Sequence, residues 1–529
     1  MLVGAHSGRL RKALAVAASA LVAGTGLVAS ASAQPAAEPV SWEKCDPADL
    51  SGVPITQRHL FRCATYPVPI DHDDPSKGTV ELAMMRRAAT SPDQRIGSLF
   101  LNPGGPGGSG YNRPTTAVDR FDPAVLERFD IIGFDPRGVN NSDPLRCFKS
   151  AKQAEEVLGR ISSVPVTDEQ ISTTMDAYQE YGESCAKNAG ELLRHMSTED
   201  VARDLDLMRQ GVGDDRLNYV GFSYGTLLGA TYVNLFPERS RAIVLDGNVD
   251  PALRTSDGVQ YDRERAQGFE LALDGFLKRC AENPGKCAFG DGDPRAKFDE
   301  IRDHLREEPI TMPDGTEITL DQFTDSTGSA LYNPEKFRQL ATDLQSLHRQ
   351  LNPKPGLVPE LLTVLNVPTG LGRLDAAPDA ESSYVDDSYF AVNCTDKPMP
   401  AEPERVAEIA ARWEAESPTF GRSQAFSDLA GCATWPETTA DVHRGPWAHQ
   451  AENPVLLFGN SYDPATRYEF SRRMEQQLGN ARLVTVEAHG HCILGGRSSC
   501  ADTIAANYLI DLEVPEPGFV CQPDEQPFS

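Results

Sequence analysis

At 529 residues, with 40% hydrophobic and 24% charged side chains, the chain is long enough to bury a large core and to hold two domains, or one domain with a big insertion. Its formal net charge of −27 at pH 7 argues against nucleic acid or an anionic membrane as a partner. Past the N-terminal stretch, no apolar run has the length of a bilayer span.

Arg9, Arg11 and Lys12 precede an apolar stretch from Ala13 to about Val28, followed by the small-x-small triplet Ala31-Ser32-Ala33. Residues 1–33 are therefore expected to be a secretory signal peptide, and Gln34 to Pro39 a flexible leader. Removing it takes three positive charges and no acids, so the mature chain carries −30. A secreted, extracellular monomer is expected. Export permits disulfides, and ten of the eleven cysteines fall into near neighbours: Cys45 and Cys63, Cys147 and Cys185, Cys280 and Cys287, Cys394 and Cys432, Cys500 and Cys521. Cys492 is left over, beside His491. No Cys-x-x-Cys pair or His-rich cluster suggests a metal, and Asp71-His72-Asp73-Asp74 reads as a polar turn before Pro75. No cofactor is expected.

The predicted elements alternate. "RCATYPVPI" and "GTVELAMMRRA" read as early strands. "GSLFLNPGG" and "FDIIGFDPRG" are apolar runs ending in turns. "SVPVTDEQISTTMDAYQEYGESCAKN" and "STEDVARDLDLMRQGVG" read as helices, the second capped by Ser197 or Thr198. Strand "LNYVGF", helix "GTLLGATYVNLF" and strand "RAIVLDG" follow. Apolar strands alternating with helices predict a mostly parallel α/β sheet. From about Pro251 to Trp447 the pattern becomes helical and loop-rich; then "PVLLFG", "TRYEFSRRMEQQLG", "ARLVTVEAHGH" and "CADTIAANYLIDLE" resume it. The expected organisation is residues 34–250 and 448–529 as one sheet domain, with 251–447 as a helical cap over the ligand-binding ends of the strands.

Within "GFSYG", Ser223 stands between Gly221 and Gly225, after a strand and before a helix. That is the pattern of a nucleophile elbow, which needs an acid and then a histidine on later strands. "PVLLFGNSYDPATR" supplies Asp463 and "ARLVTVEAHGHCIL" supplies His491, in the required order. His489 competes for the base, but His491 lies deeper in the loop after the strand and is preferred. "NPGGPGGSG", residues 102–110, ends an early strand where an oxyanion loop belongs; the N–H groups of Gly105 and Tyr224 are the expected donors. A phosphate loop is disfavoured because Pro106 removes a donor and no lysine follows.

The set "LNPGGPGGSG", "GFDPRGVNNSDP", "GFSYGT", "ARDLDLMR", "VNCTDKP", "PVLLFGNSYDPATR" and "GHC", with a late cysteine, resembles the secreted tripeptidyl aminopeptidases. These are α/β-hydrolase serine peptidases related to proline iminopeptidase. The resemblance spans nearly all of the mature chain. It implies Ser223, Asp463 and His491 as the triad, Gly105 and Tyr224 as oxyanion donors, and peptides with a free N-terminus as substrates. It also implies a cap acid that holds the substrate amine, for which Asp396 in "VNCTDKP" is the candidate. A secreted carboxylesterase using the same triad is the alternative. One departure stands out: Cys492 occupies the position after the histidine where the family usually has glycine.

Overall fold

The computed structural model describes residues 38–353 and 386–529. The expected signal peptide and its expected cleavage site lie outside the described residues. The strands are β1 (Phe61–Pro69), β2 (Thr79–Arg87), β3 (Gly97–Asn102), β4 (Phe129–Phe134), β5 (Leu217–Phe222), β6 (Ser240–Asp246), a short hairpin β7 (Ile310–Thr311) and β8 (Glu317–Ile318), then β9 (Val455–Tyr462), β10 (Ala481–His489) and β11 (Val520–Cys521). All but the hairpin form one nine-stranded sheet in the order β1-β2-β4-β3-β5-β6-β9-β10-β11. Only β2 runs against the others.

Neighbouring residues of the central strands serve opposite cores. Phe100, Tyr219, Ile243 and Leu457 pack on one face; Leu99, Leu101, Val220, Val244 and Leu456 pack on the other. Helices Thr198–Gly211 and Gly225–Leu235 contribute to the first core, and helix Ser499–Asp511 to the second. Burial on both faces is why these strands are apolar throughout rather than alternating. This is an α/β-hydrolase sheet with a mainly helical cap inserted between β6 and β9. The inserted helices supply most of a further core, in which Phe269, Phe276, Phe298, Phe323 and Leu344 are buried. The sequence did not announce β11; it pairs with β10, and the Cys500–Cys521 disulfide ties it to helix Ser499–Asp511.

The cysteines pair as their spacing suggested, in five disulfides, and Cys492 is free. Ser197 caps helix Thr198–Gly211 in a box with Asp200. The Asp-Pro-Arg-Gly turn after β4 is a structural hub. Fully buried Arg137 grips Asp204 of that helix through Nε (2.7 Å) and Nη2 (2.6 Å). His72 of the predicted polar turn pairs with the same Asp204 at 2.9 Å, which gives the turn a structural partner. Removing Asp204 would leave the buried Arg137 with only its longer ion pair to Asp200 (3.8 Å), so Asp204→Ala should cost about 3 kcal/mol of unfolding free energy in a denaturant titration.

Candidate active site

β5 ends at Phe222, and Ser223 follows with φ +56°, in the left-handed region. Both flanking glycines are required by close approach. A Cβ on Gly221 would lie 2.3 Å from the Gly225 carbonyl oxygen, and one on Gly225 2.8 Å from the Asn102 oxygens. The Ser223 N–H donates to the Asp246 carbonyl at 2.9 Å, which pins the turn to the end of β6. Helix Gly225–Leu235 starts directly behind, so its positive end faces the serine.

Asp463 lies just past β9 and is buried. Its Oδ1 accepts the N–H groups of Ala465 (3.0 Å) and Thr466 (2.8 Å), and its Oδ2 accepts the Thr466 hydroxyl (3.0 Å). These bonds fix the carboxylate so that both oxygens lie 3.0 Å from His491 Nδ1. A carboxylate only accepts, so Nδ1 carries the proton and Nε2 presents its lone pair. Among the described residues neither Nε2 of His491 nor Oγ of Ser223 has a hydrogen-bond partner, and the two are not bonded to each other. Catalytic hydrogen bonds of this kind commonly tighten only when substrate is bound.

The histidine loop is held from every side. His491 N–H donates to the Tyr332 carbonyl (2.8 Å), and the Tyr332 ring meets the imidazole edge-on at 5.1 Å. Arg497 Nη1 donates to the carbonyls of His491 (3.1 Å) and Cys492 (2.7 Å), and Nη2 to that of His489 (2.6 Å). Asn460 Nδ2 donates to the carbonyls of Gly490 and Cys492. Asp246 Oδ2 accepts the N–H groups of Ile493 and Leu494, both at 2.8 Å. Burial outweighs those two bonds and pushes the Asp246 carboxyl up to about 6. Its carbonyl accepts from the Cys492 thiol (3.4 Å) as well as from Ser223 N–H, so serine and histidine loops share one anchor. Sequence reasoning named none of Arg497, Asn460, Asp246 or Tyr332.

The loop after β3 folds over the elbow. Asn102 Oδ1 accepts the Gly104 N–H at 2.9 Å, and a Cβ on Gly104 would lie 2.9 Å from the Ser223 Cβ. Gly105, at φ +112°, and Tyr224 each keep an N–H without a protein acceptor among the described residues. Asp135 holds the far end of the loop by accepting from the Ser109 hydroxyl (2.6 Å) and the Tyr111 N–H (3.0 Å). Among the described residues no group of three or more His, Cys, Asp or Glu side chains could hold a metal.

Two family models match the chain: an alpha/beta hydrolase fold over residues 97–290 and a TAP-like protein over residues 417–521. The serine protease Hip1 of Mycobacterium tuberculosis is 31% identical over 505 residues, covering 92% of this chain and 91% of the relative. The chain belongs to the tripeptidyl aminopeptidase family of α/β-hydrolase serine peptidases. The tripeptidyl aminopeptidase of Streptomyces lividans is 29% identical over 521 residues, covering 94% of this chain and 89% of its own. Carboxylesterase B of Mycobacterium tuberculosis is 31% identical over 495 residues, covering 91% and 90%.

Against this family background, three further residues can be placed. His489 stacks on Tyr462 at 4.5 Å and packs against Phe337 of the inserted segment, with Nδ1 buried and unpartnered. Burial, reinforced by Arg279, brings its imidazole down to about 4. The unfolded chain binds that proton near 6.5. Between those values the unfolded state therefore holds more protons, and stability falls as pH falls through the window, by on the order of 3 kcal/mol in full. His489→Asn should flatten this acid limb in denaturant titrations at pH 4 to 7 while turnover survives. Comparison with the parent separates it from Asp246, which titrates in the same window with the opposite sign. An unchanged limb would show that His489 is not held neutral.

Cys492 occupies the left-handed region, at φ +59°, which favours glycine. Burial, with Asp246 and Asp463 nearby, pushes its thiol well above the ordinary value. Cys492→Gly should keep activity. Iodoacetamide at pH 8 should leave the native thiol unmodified by mass spectrometry, because the thiolate is the reactive form. The side chain is half-buried, so the raised pKa is what protects it, and rapid alkylation would contradict that rise.

Asp396, expected to meet a substrate amine, is fully buried. Its Oδ1 accepts the Thr198 N–H at 3.0 Å and its Oδ2 the Thr198 hydroxyl at 2.5 Å, so it presents no face to a ligand. The other buried acids of that region are paired as well: Lys397 lies 3.0 Å from Asp262 and also bonds Asp428, which Arg265 approaches at 3.4 Å.

Proposed function

We propose that the protein is a secreted serine aminopeptidase that releases short peptides, three residues long, from free N-termini through an acyl-enzyme on Ser223. The observation that carries this reading is His491, with Nδ1 bound by both Asp463 oxygens, held in the loop that shares the Asp246 anchor with the left-handed Ser223. Nε2 of His491 takes the Ser223 proton as Oγ attacks the scissile carbonyl. The developing oxyanion is received by the N–H groups of Gly105 and Tyr224. His491 then gives the proton to the leaving amine, and water, deprotonated by the same Nε2, hydrolyses the acyl-enzyme. The name of the Streptomyces lividans relative supports the tripeptide unit. Secretion is supported by five disulfides and by the basic and apolar leader. No helix among the described residues is long and apolar enough to cross a membrane.

A panel of free and acetylated di-, tri- and tetrapeptide anilides tests this, read beside short acyl esters. The free tripeptide should lead. Acetylating its N-terminus should lower kcat/KM by about a hundred-fold or more, the usual cost of removing one charge from a desolvated pair; the acid that meets the amine is not Asp396, whose oxygens are taken by Thr198. The esterase reading is kept because the carboxylesterase relative is as similar as the protease and because acyl transfer is common to both. Equal rates on free and acetylated peptides, with esters faster than either, would establish it instead.

A further inference from the structure

The motif "VNCTDKP" remains without a role once Asp396 is seen to be buried. Its carboxylate is the end of a short chain of hydrogen bonds that begins at the elbow. Tyr224, the residue after the nucleophile, places its hydroxyl 2.5 Å from Thr198 Oγ1, and that oxygen lies 2.5 Å from Asp396 Oδ2. All three side chains are buried. A threonine hydroxyl has one proton. With a carboxylate on one side, Thr198 donates to Asp396, and its lone pair can only accept the Tyr224 O–H. The order of donors is therefore fixed from one end. The Thr198 N–H, at the first position of helix Thr198–Gly211, donates to the other oxygen of Asp396 at 3.0 Å, so the carboxylate cannot rotate away.

Asp396 is the last residue of helix Ser388–Asp396 and is two residues from the Cys394–Cys432 disulfide. Arg444 holds its carbonyl at 3.0 Å. The guanidinium of Arg254 lies 5.8 Å from the centre of the Tyr224 ring and donates to Asn393 Oδ1 at 2.5 Å. The Tyr224 side chain is thus fixed at its tip by Asp396 through Thr198 and on its face by Arg254. Its backbone N–H, in the residue next to Ser223, has no acceptor among the described residues.

We propose that Asp396 and Thr198 are positioning residues for the oxyanion hole, acting through the Tyr224 side chain to aim the Tyr224 N–H, so that the inserted segment helps to build the hole as well as cover it. This rests on the serine peptidase reading given above. A mis-aimed donor weakens the bond to the oxyanion, which exists only in the transition state, and leaves the ground-state complex alone. Removing a whole oxyanion donor costs about a hundred- to a thousand-fold in kcat, and loosening one should cost about ten- to a hundred-fold.

The test compares the parent with Asp396→Asn, Thr198→Val and Tyr224→Phe, and with Tyr224→Phe combined with Asp396→Asn. The measurements are kcat and KM on a free tripeptide anilide, the inhibition constant of a tripeptidyl aldehyde whose hemiacetal oxygen occupies the hole, and the melting temperature. Each single variant should lose kcat in that range with KM little changed. The aldehyde should weaken by the same factor, and the double variant should be no worse than the more severe single. Tyr224→Phe removes one oxygen and keeps the ring, so it decides the matter if Asp396→Asn fails to fold. Unchanged kcat and aldehyde affinity with only a lower melting temperature would overturn the proposal. So would a rise in KM confined to free-amine substrates, which would return Asp396 to the role of amine anchor. Failure of the peptidase reading is seen separately, in the parent, as equal cutting of free and acetylated tripeptide.

Discussion

Ser223→Ala should lower turnover by about a million-fold, the usual consequence of deleting a triad nucleophile. The fold should survive, for a reason visible in the elbow. Ser223 Oγ has no hydrogen-bond partner among the described residues, so its removal leaves no buried donor or acceptor unsatisfied. The backbone bonds that hold the turn, from Ser223 N–H to Asp246 and from Thr226 to the Ser223 carbonyl, do not involve the side chain. Alanine keeps the cost of a left-handed residue, about 1–2 kcal/mol, and glycine would relieve it. Ser223→Gly should therefore be equally inactive but more stable than Ser223→Ala, the pattern of a site that holds strain for its chemistry. Parallel melts and tripeptide anilide assays measure both effects. A Ser223→Ala protein that kept a tenth of the parent's rate would remove the serine from the mechanism.

The elbow could be read in the sequence because its constraints are local. Gly221 and Gly225 are glycines for contacts within four residues or with the neighbouring strand, and Ser223 is marked by its place between them. Asp463 and His491 were legible for a related reason: each follows an apolar strand, and strand ends gather at one edge of a parallel sheet. The supports of the histidine loop were not. Arg497 sits in "GGRSSC", which has the composition of an exposed turn, and its partners are backbone carbonyls that carry no residue signature. Asp246 in "VLDG" looks like any acid at a strand end until its carboxylate is found under Ile493 and Leu494. Asp396 shows the limit most clearly. Placing it near a disulfide was correct, but whether it faces a cavity or the interior depends on how helix Ser388–Asp396 lies against Thr198, a contact 198 residues away in the chain. The inserted segment was visible as a change of periodicity. That its Tyr332 carbonyl receives the His491 N–H was not, because a backbone acceptor has no letter in the sequence.

Asp463→Asn should be almost as damaging as loss of the serine, about ten-thousand-fold in kcat, without loss of the loop geometry. The hydrogen bonds dictate how. Oδ1 of Asp463 already accepts the N–H groups of Ala465 and Thr466, so in the variant the amide oxygen must occupy that side. The amide nitrogen then takes the place of Oδ2, facing Thr466 Oγ1 and His491 Nδ1. It can only donate, which favours the tautomer with the proton on Nε2 and leaves the amide oxygen, on the Oδ1 side and also 3.0 Å from Nδ1, as the one acceptor for the working tautomer. In the favoured tautomer the base turns its N–H toward Ser223 and cannot accept the serine proton. His491→Ala should cost as much as Ser223→Ala, since members of one catalytic unit fail together. The variant at His489 separates this mechanism from its nearest rival: its ring is stacked on Tyr462 and meets Phe337 edge-on, and it has no bond to Asp463 among the described residues. If His489→Asn abolished turnover while His491→Ala kept it, the base would be the strand-end histidine, and the pairing of His491 with Asp463 would be structural.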